Sequence, residues 1–492
     1  MLHISELEKA TLTSVLDDWS DASGITFTEV SDGLDTYGDL RFYLMDFPTW
    51  AQEYDIFNSG AFAYKPGAVG QPGAPLYGDI FLRSDYEVGD GTFIHTATHE
   101  IGHALGLPHN MKASSAYPVD SLRSGDFTKK MGIATTIMDY ARYNYIAQPG
   151  DENIRFIRQL GPYDDYSIEW GYRYFPGKTI NEESEILSRF VDEKNLNPIY
   201  MFGSSWGDPN SQTENIGDDP VMASNYGLSN LKIVSKNLID WTYEPDKNYD
   251  DLSELYGELL GVYSRYVFHV IGIVGGVNQT LVNTNQKENY TYKNVDRSNQ
   301  IRALSFLDQE LWQSPMWLLN KEIISQTNNV DGLYRVERIQ ERAINSLLSN
   351  YRLNRMLSSF NSIKGEALSY NDLLENLSDE VLKNNFNRND IVLVNSPLFV
   401  QQNFNNEEIV FTTWDLKYAI LNKTQKNLNF WLISDRLIRY PSYYPVANFM
   451  NSDYLNNEIN DDLKVFYYQN RNNSGNFEIY QTREEVLKKL II

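Results

Sequence analysis

Hydrophobic positions along the chain change their period several times, and each change marks an element. In "SELEKATLTSVLDDWSD" (5–21), Leu7, Leu12, Val15, Leu16 and Trp19 recur at helical spacing. Ser5, with Glu8 three residues on, reads as a capping box that starts this helix. The pattern then switches to alternation in "ITFTEV" (25–30), "DLRFYLMD" (39–46) and "YGDIFLRS" (77–84), which predicts three strands. A Gly/Pro-rich loop precedes the third, and a helix over roughly Thr92–Leu105 follows it. Helix, strands, helix predicts an α/β (α+β) domain with a mixed or mostly parallel sheet.

Further along, 109–134 is polar and loop-like, and "GPYDDYSIEWGY" (161–172) reads as a closing helix. A boundary is expected within "FPGKTINEES" (175–184), so the first domain is read as residues 1–178. Residues 179–362 have mainly helical periodicity, clearest in "YDDLSELYGELLGVYSRYVFHVIGIV", "RALSFLDQELWQSPMWLLNKEII" and "VERIQERAINSLLSNYRLNRMLSSF". Residues 363–492 are Asn-rich and mixed, with strand-like "DIVLVN" and "FEIY" and a helix-like "REEVLKKLI". Their role is not readable from pattern. No internal repeat is visible.

Composition narrows the function classes. The 492 residues include no cysteine, which removes disulfides, thiolate metal ligands and a cysteine nucleophile together. A net charge of -24 argues against nucleic acid and anionic membranes as partners. The longest apolar run, "YVFHVIGIVGGV" (266–277), is too short to span a bilayer, and no signal-peptide pattern opens the chain. Membrane insertion is therefore not expected.

The chemistry gathers in "HEIGHALGLPH" (99–109), which holds three of the six histidines. Residues four apart on a helix share a face, so His99 and His103 can bind one ion through their imidazoles. Glu100 sits at the edge of that face, able to reach a water beside the ion without ligating it. Gly106 can end the helix in a left-handed conformation and turn the chain back, bringing His109 to the same ion. Three neutral imidazoles with one open position form the catalytic type of zinc site. His95 lies one turn upstream on the same face and is read as a packed core histidine, as are His3 and His269. Asp and Glu are plentiful enough to hold calcium, but no position for it can be assigned.

This spacing, followed by a methionine turn, matches the metzincin signature. "TIMDY" (136–140) lies where that turn belongs. The resemblance implies a zinc endopeptidase with a twisted mixed sheet and an active-site helix. Within it, Met138 would form the floor beneath the imidazoles, and Tyr140 would be an extra ligand or an oxyanion hydrogen-bond donor. It also implies that the strand before the helix, Gly78, Asp79, Ile80, Phe81 and Leu82, is an edge strand that pairs with extended substrate. The first 110 residues resemble serralysin and matrixin catalytic domains, but Asn110 matches neither the proline nor the serine those subfamilies place after the third histidine. "LPHNMKAS", "GDDPVMASNYGLSNLK" and "FLDQELWQSPMWLL" resemble large bacterial, Bacteroidetes-type metalloproteases with a Met-zincin domain. Those proteins carry long regions before the catalytic domain, so a removed segment serving latency, export or folding stays open.

The expected partner is a protein or peptide substrate, and the expected location is secreted or cell-envelope, with the cytoplasm left open. A zinc-binding but inactive assembly protein and a hydrolase of non-peptide amides remain alternatives. Substrate preference and oligomeric state are not readable from the sequence.

Overall fold

The computed structural model describes residues 4–377 apart from 32–37, 46–60, 66–77, 87, 89–90, 195–196, 205–206, 283–290, 314, 328–329 and 363–366, together with 467–468 and 479–480. The chain divides into two compact units. One comprises Met1–Tyr226 with Asn278–Lys293, and the other Gly227–Val277 with Asn294–Ile492. The first unit thus runs past residue 178.

The first unit opens with α1 (Glu6–Ser23). Its capping box is formed as the sequence predicts: Glu8 N–H donates to Ser5 Oγ at 3.3 Å, and Ser5 N–H to Glu8 Oε2 at 2.6 Å. Gly24, at φ +70°, ends the helix. Its buried face is Leu12, Val15 and Trp19, and the Trp19 indole N–H donates to Thr98 O at 3.1 Å. That bond pins α1 to the histidine helix, α2 (Thr92–Ala104).

Between these helices lies a small mixed sheet of β1 (Arg41–Met45), β2 (Ala61–Ala63) and β3 (Asp79–Arg83), in the order β1-β3-β2. β1 runs parallel to β3 and β2 antiparallel to it. Leu44, Ile80 and Leu82 bury one face against Phe93, Ala97 and Ile101 of α2 and Trp19 of α1. On the opposite face Phe81 stacks between Tyr43 and Phe62, with ring centroids 4.8 and 4.6 Å away. The arrangement is α+β, as expected from the order of elements.

Two sequence expectations change here. "ITFTEV" (25–30) forms no ladder; Ile25 and Phe27 are instead partly buried against the core of α1, α2 and the sheet. Its alternation reports which side chains are buried, and that pattern does not require a pairing partner. The second correction concerns Gly78–Leu82. β3 is the central strand, hydrogen-bonded on both sides, so it is not an edge open to substrate. Its residues have structural work: Asp79 takes a bidentate bond from Arg41 at 2.7 and 2.8 Å, and Gly78, at φ +82°, leaves room where a Cβ would stand 2.0 Å from Asp39 O.

After α2 the polar stretch 109–134 is more ordered than its composition suggests, with two 3-10 turns and α3 (Gly125–Met131). The predicted closing helix is α4 (Pro162–Tyr172), followed by α5 (Ile180–Lys194).

The second unit is mainly helical. It takes in the end of α6 (Pro220–Trp241), then α7 (Asp250–Ile273), α8 (Arg297–Leu307), a π-helical turn at Asp308–Trp312, α9 (Lys321–Gln326), α10 (Val330–Leu347), α11 (Asn350–Ser362) and α12 (Tyr370–Leu377). α7 buries Leu259, Tyr263, Val267 and Val270 along one face. His269 is buried as the sequence reading had it. In the last 130 residues, Tyr467–Tyr468 pairs antiparallel with Ile479–Tyr480. The strand expected at 390–395 and the helix expected at 483–491 lie outside the described residues, as do His3 and most of the Gly/Pro-rich loop.

Candidate metal centre

α2 ends through the glycine that the sequence singles out. Gly106, at φ +96°, donates its N–H to His103 O, and Leu107 N–H donates to Gly102 O, both at 2.9 Å. This double closure is a Schellman motif, and the left-handed residue turns the chain back over the helix end. His109 thereby returns beside His99 and His103, and the three rings offer ligand atoms within 4.8 Å of one another.

The orientation of the rings is set by the backbone. His99 Nδ1 donates to Ile137 O at 2.9 Å, and His103 Nδ1 donates to Leu107 O at 2.8 Å. A carbonyl can only accept, so both rings carry their proton on Nδ1 and turn a lone pair outward at Nε2. Those lone pairs face His109 Nε2 at 3.2 and 2.9 Å. Burial is the main influence on all three imidazoles: it holds His99 and His103 below the usual range and His109 at about 4. Two lone pairs and the His109 nitrogen converging this closely are held either by a proton on His109 Nε2 or by a shared cation. In tetrahedral zinc sites the ligand nitrogens stand about 3.3–3.4 Å apart, given Zn–N bonds of about 2.0–2.1 Å, so the residues fit that ion.

Glu100 adds a second sign. It is 6% exposed, and its Oε2 is buried with no hydrogen-bond partner. Burial pushes its carboxyl up to about 8. A buried carboxylate oxygen without a donor costs roughly 1–3 kcal/mol or more, which a water or cation in front of it would relieve.

Met138 lies fully buried under α2, in contact range of Gly102. A Cβ at Gly102 would stand 2.4 Å from Met138 Sδ and 3.2 Å from Trp19, so only glycine lets the methionine come this close to the helix. Tyr140 is half-buried beside the triad, its ring 4.4 Å from that of His109 and 5.8 Å from that of His99. Burial, then the Glu100 charge, raise its phenol above the usual range. The structure therefore gathers His99, His103, His109, Glu100, Met138 and Tyr140, and leaves Gly78–Leu82 within the sheet.

Asn110, noted in the sequence, and three residues that the sequence reading did not mark as functional, Asp139, Asp164 and Arg158, hold this turn in place. Asp164, fully buried, accepts from Ile137 N and Gly161 N at 2.9 Å each and from the Thr136 hydroxyl. Asp139 accepts from Ser114 N and Ala141 N at 2.8 Å each. Burial raises these carboxyls to about 7 and about 6. Arg158 donates through Nη1 to Ile137 O at 2.8 Å, the same carbonyl that receives His99. Asn110 N–H donates to Met138 O at 3.1 Å, while its side chain bonds Met201 O and Gly203 N at 3.0 Å each. The signals were faint: an acid three residues into a Pro-started helix for Asp164, and a glycine inside a helix, about 1 kcal/mol worse than alanine, for Gly102. Nothing local marks Arg158.

The comparisons agree with this geometry. A Met-zincin family model matches residues 92–388. Serralysin B of Dickeya chrysanthemi is 27% identical over 177 residues, 32% of this chain and 33% of that protein. Metalloprotease AprA of Pseudomonas entomophila is 35% identical over 112 residues, 21% of this chain and 20% of that protein. A serralysin of Photorhabdus is 28% identical over 143 residues, 28% of this chain and 26% of that protein. The chain thus spans a third or less of the length of these curated relatives. No solved structure matches significantly.

Proposed function

The chain belongs to the Met-zincin family, and from that premise we propose that it is a zinc-dependent endopeptidase acting on protein or peptide substrates. The observation that carries this reading is the convergence of three neutral imidazole nitrogens beside an unpartnered, buried carboxylate oxygen.

His99, His103 and His109 would hold the ion, with the Ile137 and Leu107 carbonyls fixing the first two rings. Bound there, zinc supplies a Lewis acid that acidifies water and polarises a carbonyl oxygen. Glu100 acts as the general base, taking a proton from the attacking water at its unpartnered oxygen and delivering it to the leaving amine nitrogen. Burial strengthens the carboxylate as a base, and a cation alongside would lower its pKa and favour the ionised form that accepts the proton. Tyr140 keeps its phenolic proton across the working pH range and donates to the developing oxyanion. Met138 takes no part in proton transfer and packs as the floor that sets the height of α2. Among the described residues no helix is long and apolar enough to cross a membrane. A secreted or cell-envelope location goes with this reading and is checked by fractionating the source cells.

The deciding experiment compares casein and peptide-library cleavage by wild type and Glu100→Gln, with zinc measured in both. Hydrolysis that falls about 10²–10⁴-fold while zinc is retained supports the assignment. A wild type with full zinc that cuts no peptide in the library overturns it, and would favour a binding or assembly role.

A further inference from the structure

A second cavity, of about 370 Å3, lies in the first unit between α1, α2 and residues 157–160. It shares none of the three ligand histidines, Glu100 or Tyr140. Two of its lining residues, His95 and Arg158, each carry a buried nitrogen without a hydrogen-bond partner among the described residues, His95 Nε2 and Arg158 Nε. Arg158 is only 6% exposed; Asp139 and Asp164 favour its charge through space, but neither is hydrogen-bonded to it. Its Nη1 is used by Ile137 O, but the Nε–H has no acceptor. Native interiors rarely leave a guanidinium so placed, because a buried donor on a charged group needs an acceptor.

The mouth has the opposite sign. Asp18 and Asp21, both exposed on α1, line it, and the wall between includes Ile94 and Ile157. The cavity therefore presents a cation and an imidazole at depth, an apolar wall, and carboxylates at the entrance. A phosphate or sulfate would have to pass the two aspartates and would leave the wall unfilled. A molecule with a carboxylate at one end, an apolar body and an ammonium at the other matches all three parts. The volume sits at the lower end of small-molecule pockets.

We propose that this cavity binds a short apolar peptide in its zwitterionic form, with the carboxylate against the Arg158 guanidinium and the His95 imidazole and the ammonium at Asp18 and Asp21. The site shares no ligand histidine with the metal centre and adjoins it through Arg158 and Ile137, and its occupation does not depend on the chain being a protease.

The test uses the full zinc-loaded chain carrying Glu100→Gln, titrated calorimetrically with leucyl-leucine, and repeats the titration after chelation and again after zinc is restored. Single-site binding is expected. Leucyl-leucinamide, lacking the carboxylate, binds about tenfold or more weaker, and N-acetyl-leucyl-leucine, lacking the ammonium, about threefold to fivefold weaker. The double variant Asp18→Asn/Asp21→Asn reduces leucyl-leucine to the affinity of its acetylated form. Ile94→Trp, at a partly exposed position on the wall, abolishes binding while the thermal transition shows a folded chain. No binding at about 10 mM, a weak-fragment concentration, overturns the proposal. So does binding indifferent to both variants, and so does binding that appears only when zinc is restored, which would place the peptide at the metal centre instead.

Discussion

The segment from α2 to α4 and the helical second unit are both well buried, yet they use polar side chains differently. Around the metal centre, whole charges are taken out of water: Asp139, Asp164 and Arg158 are buried, and each bonds backbone groups of the 136–141 turn or its supports. In the second unit most of the buried ties come from neutral groups, although Arg352 also donates to Ile271 O at 2.8 Å and Ser346 O at 3.0 Å. Tyr263 donates to Glu310 O at 2.7 Å, Tyr256 to Leu318 O at 2.9 Å and Gln340 to Leu311 O at 2.8 Å. Gln300 bridges Gly275 N and Val295 O at 2.8 and 2.7 Å. Neutral ties are a cheap way to close helix ends and loops. Buried charges cost desolvation, and here that cost goes into fixing the carbonyl that aims His99. Around the metal centre the buried ionisable groups converge on one functional turn, whereas in the second unit they are few and tie helix ends.

Substituting a ligand should separate the two regions most sharply. His103→Ala is expected to weaken zinc binding by more than the roughly 10–100-fold typical of losing a supporting residue, read by chelator competition, with the second unit's melting unchanged. Removing zinc with a chelator should lower the transition of the first unit alone, by about 4 kcal/mol when zinc stands at about 1,000 times its Kd. A single transition that shifts as a whole in calorimetry would break the comparison.

Asp164→Ala leaves Ile137 N and Gly161 N without their acceptor. It should cost about 2–4 kcal/mol and also weaken zinc, whereas Tyr263→Phe should cost about 1 kcal/mol and leave zinc affinity alone. Equal effects of the two on zinc would remove the distinction between positioning and stabilising bonds. Gly102→Ala, which drives a Cβ into Met138 Sδ, should cost about 1–3 kcal/mol, and Met138→Ala in the same chain should recover part of it.

The effect that is smallest at neutral pH, and grows only below about 6.5, comes from His95. Burial holds the His95 imidazole at about 3, against about 6.5 in an unfolded chain. Between those values the unfolded chain binds a proton that the folded chain refuses, so stability falls as pH drops through that window. His95→Phe should flatten this part of the denaturant-midpoint profile for the first unit. An unchanged slope would assign the acid sensitivity to other groups.

Local chemistry made much of the centre legible. The 99–109 spacing needs only helical geometry and one left-handed glycine to bring three imidazoles together, and the Schellman closure at Gly106 carries that out. The capping box of α1 is likewise a matter of four consecutive residues. The parts that were not legible depend on partners far along the chain. The position of β3 inside the sheet is decided by which strand pairs on each side, so an alternating pattern cannot tell an edge from a centre. Arg158 reaches Ile137 across 21 residues, and Asp164 reaches it across 27.

By itself, the sequence determined the elements whose causes lie within a turn or two: the caps, the histidine face, the methionine turn and the helical character of 220–360. The tertiary structure alone decided which carbonyl orients His99, why Gly102 must lack a side chain, and where the buried Arg158 lines a cavity. Hydrogen bonds within one helical turn follow from residue order. Bonds between buried charges and distant backbone exist only once packing has removed the water that would otherwise satisfy them.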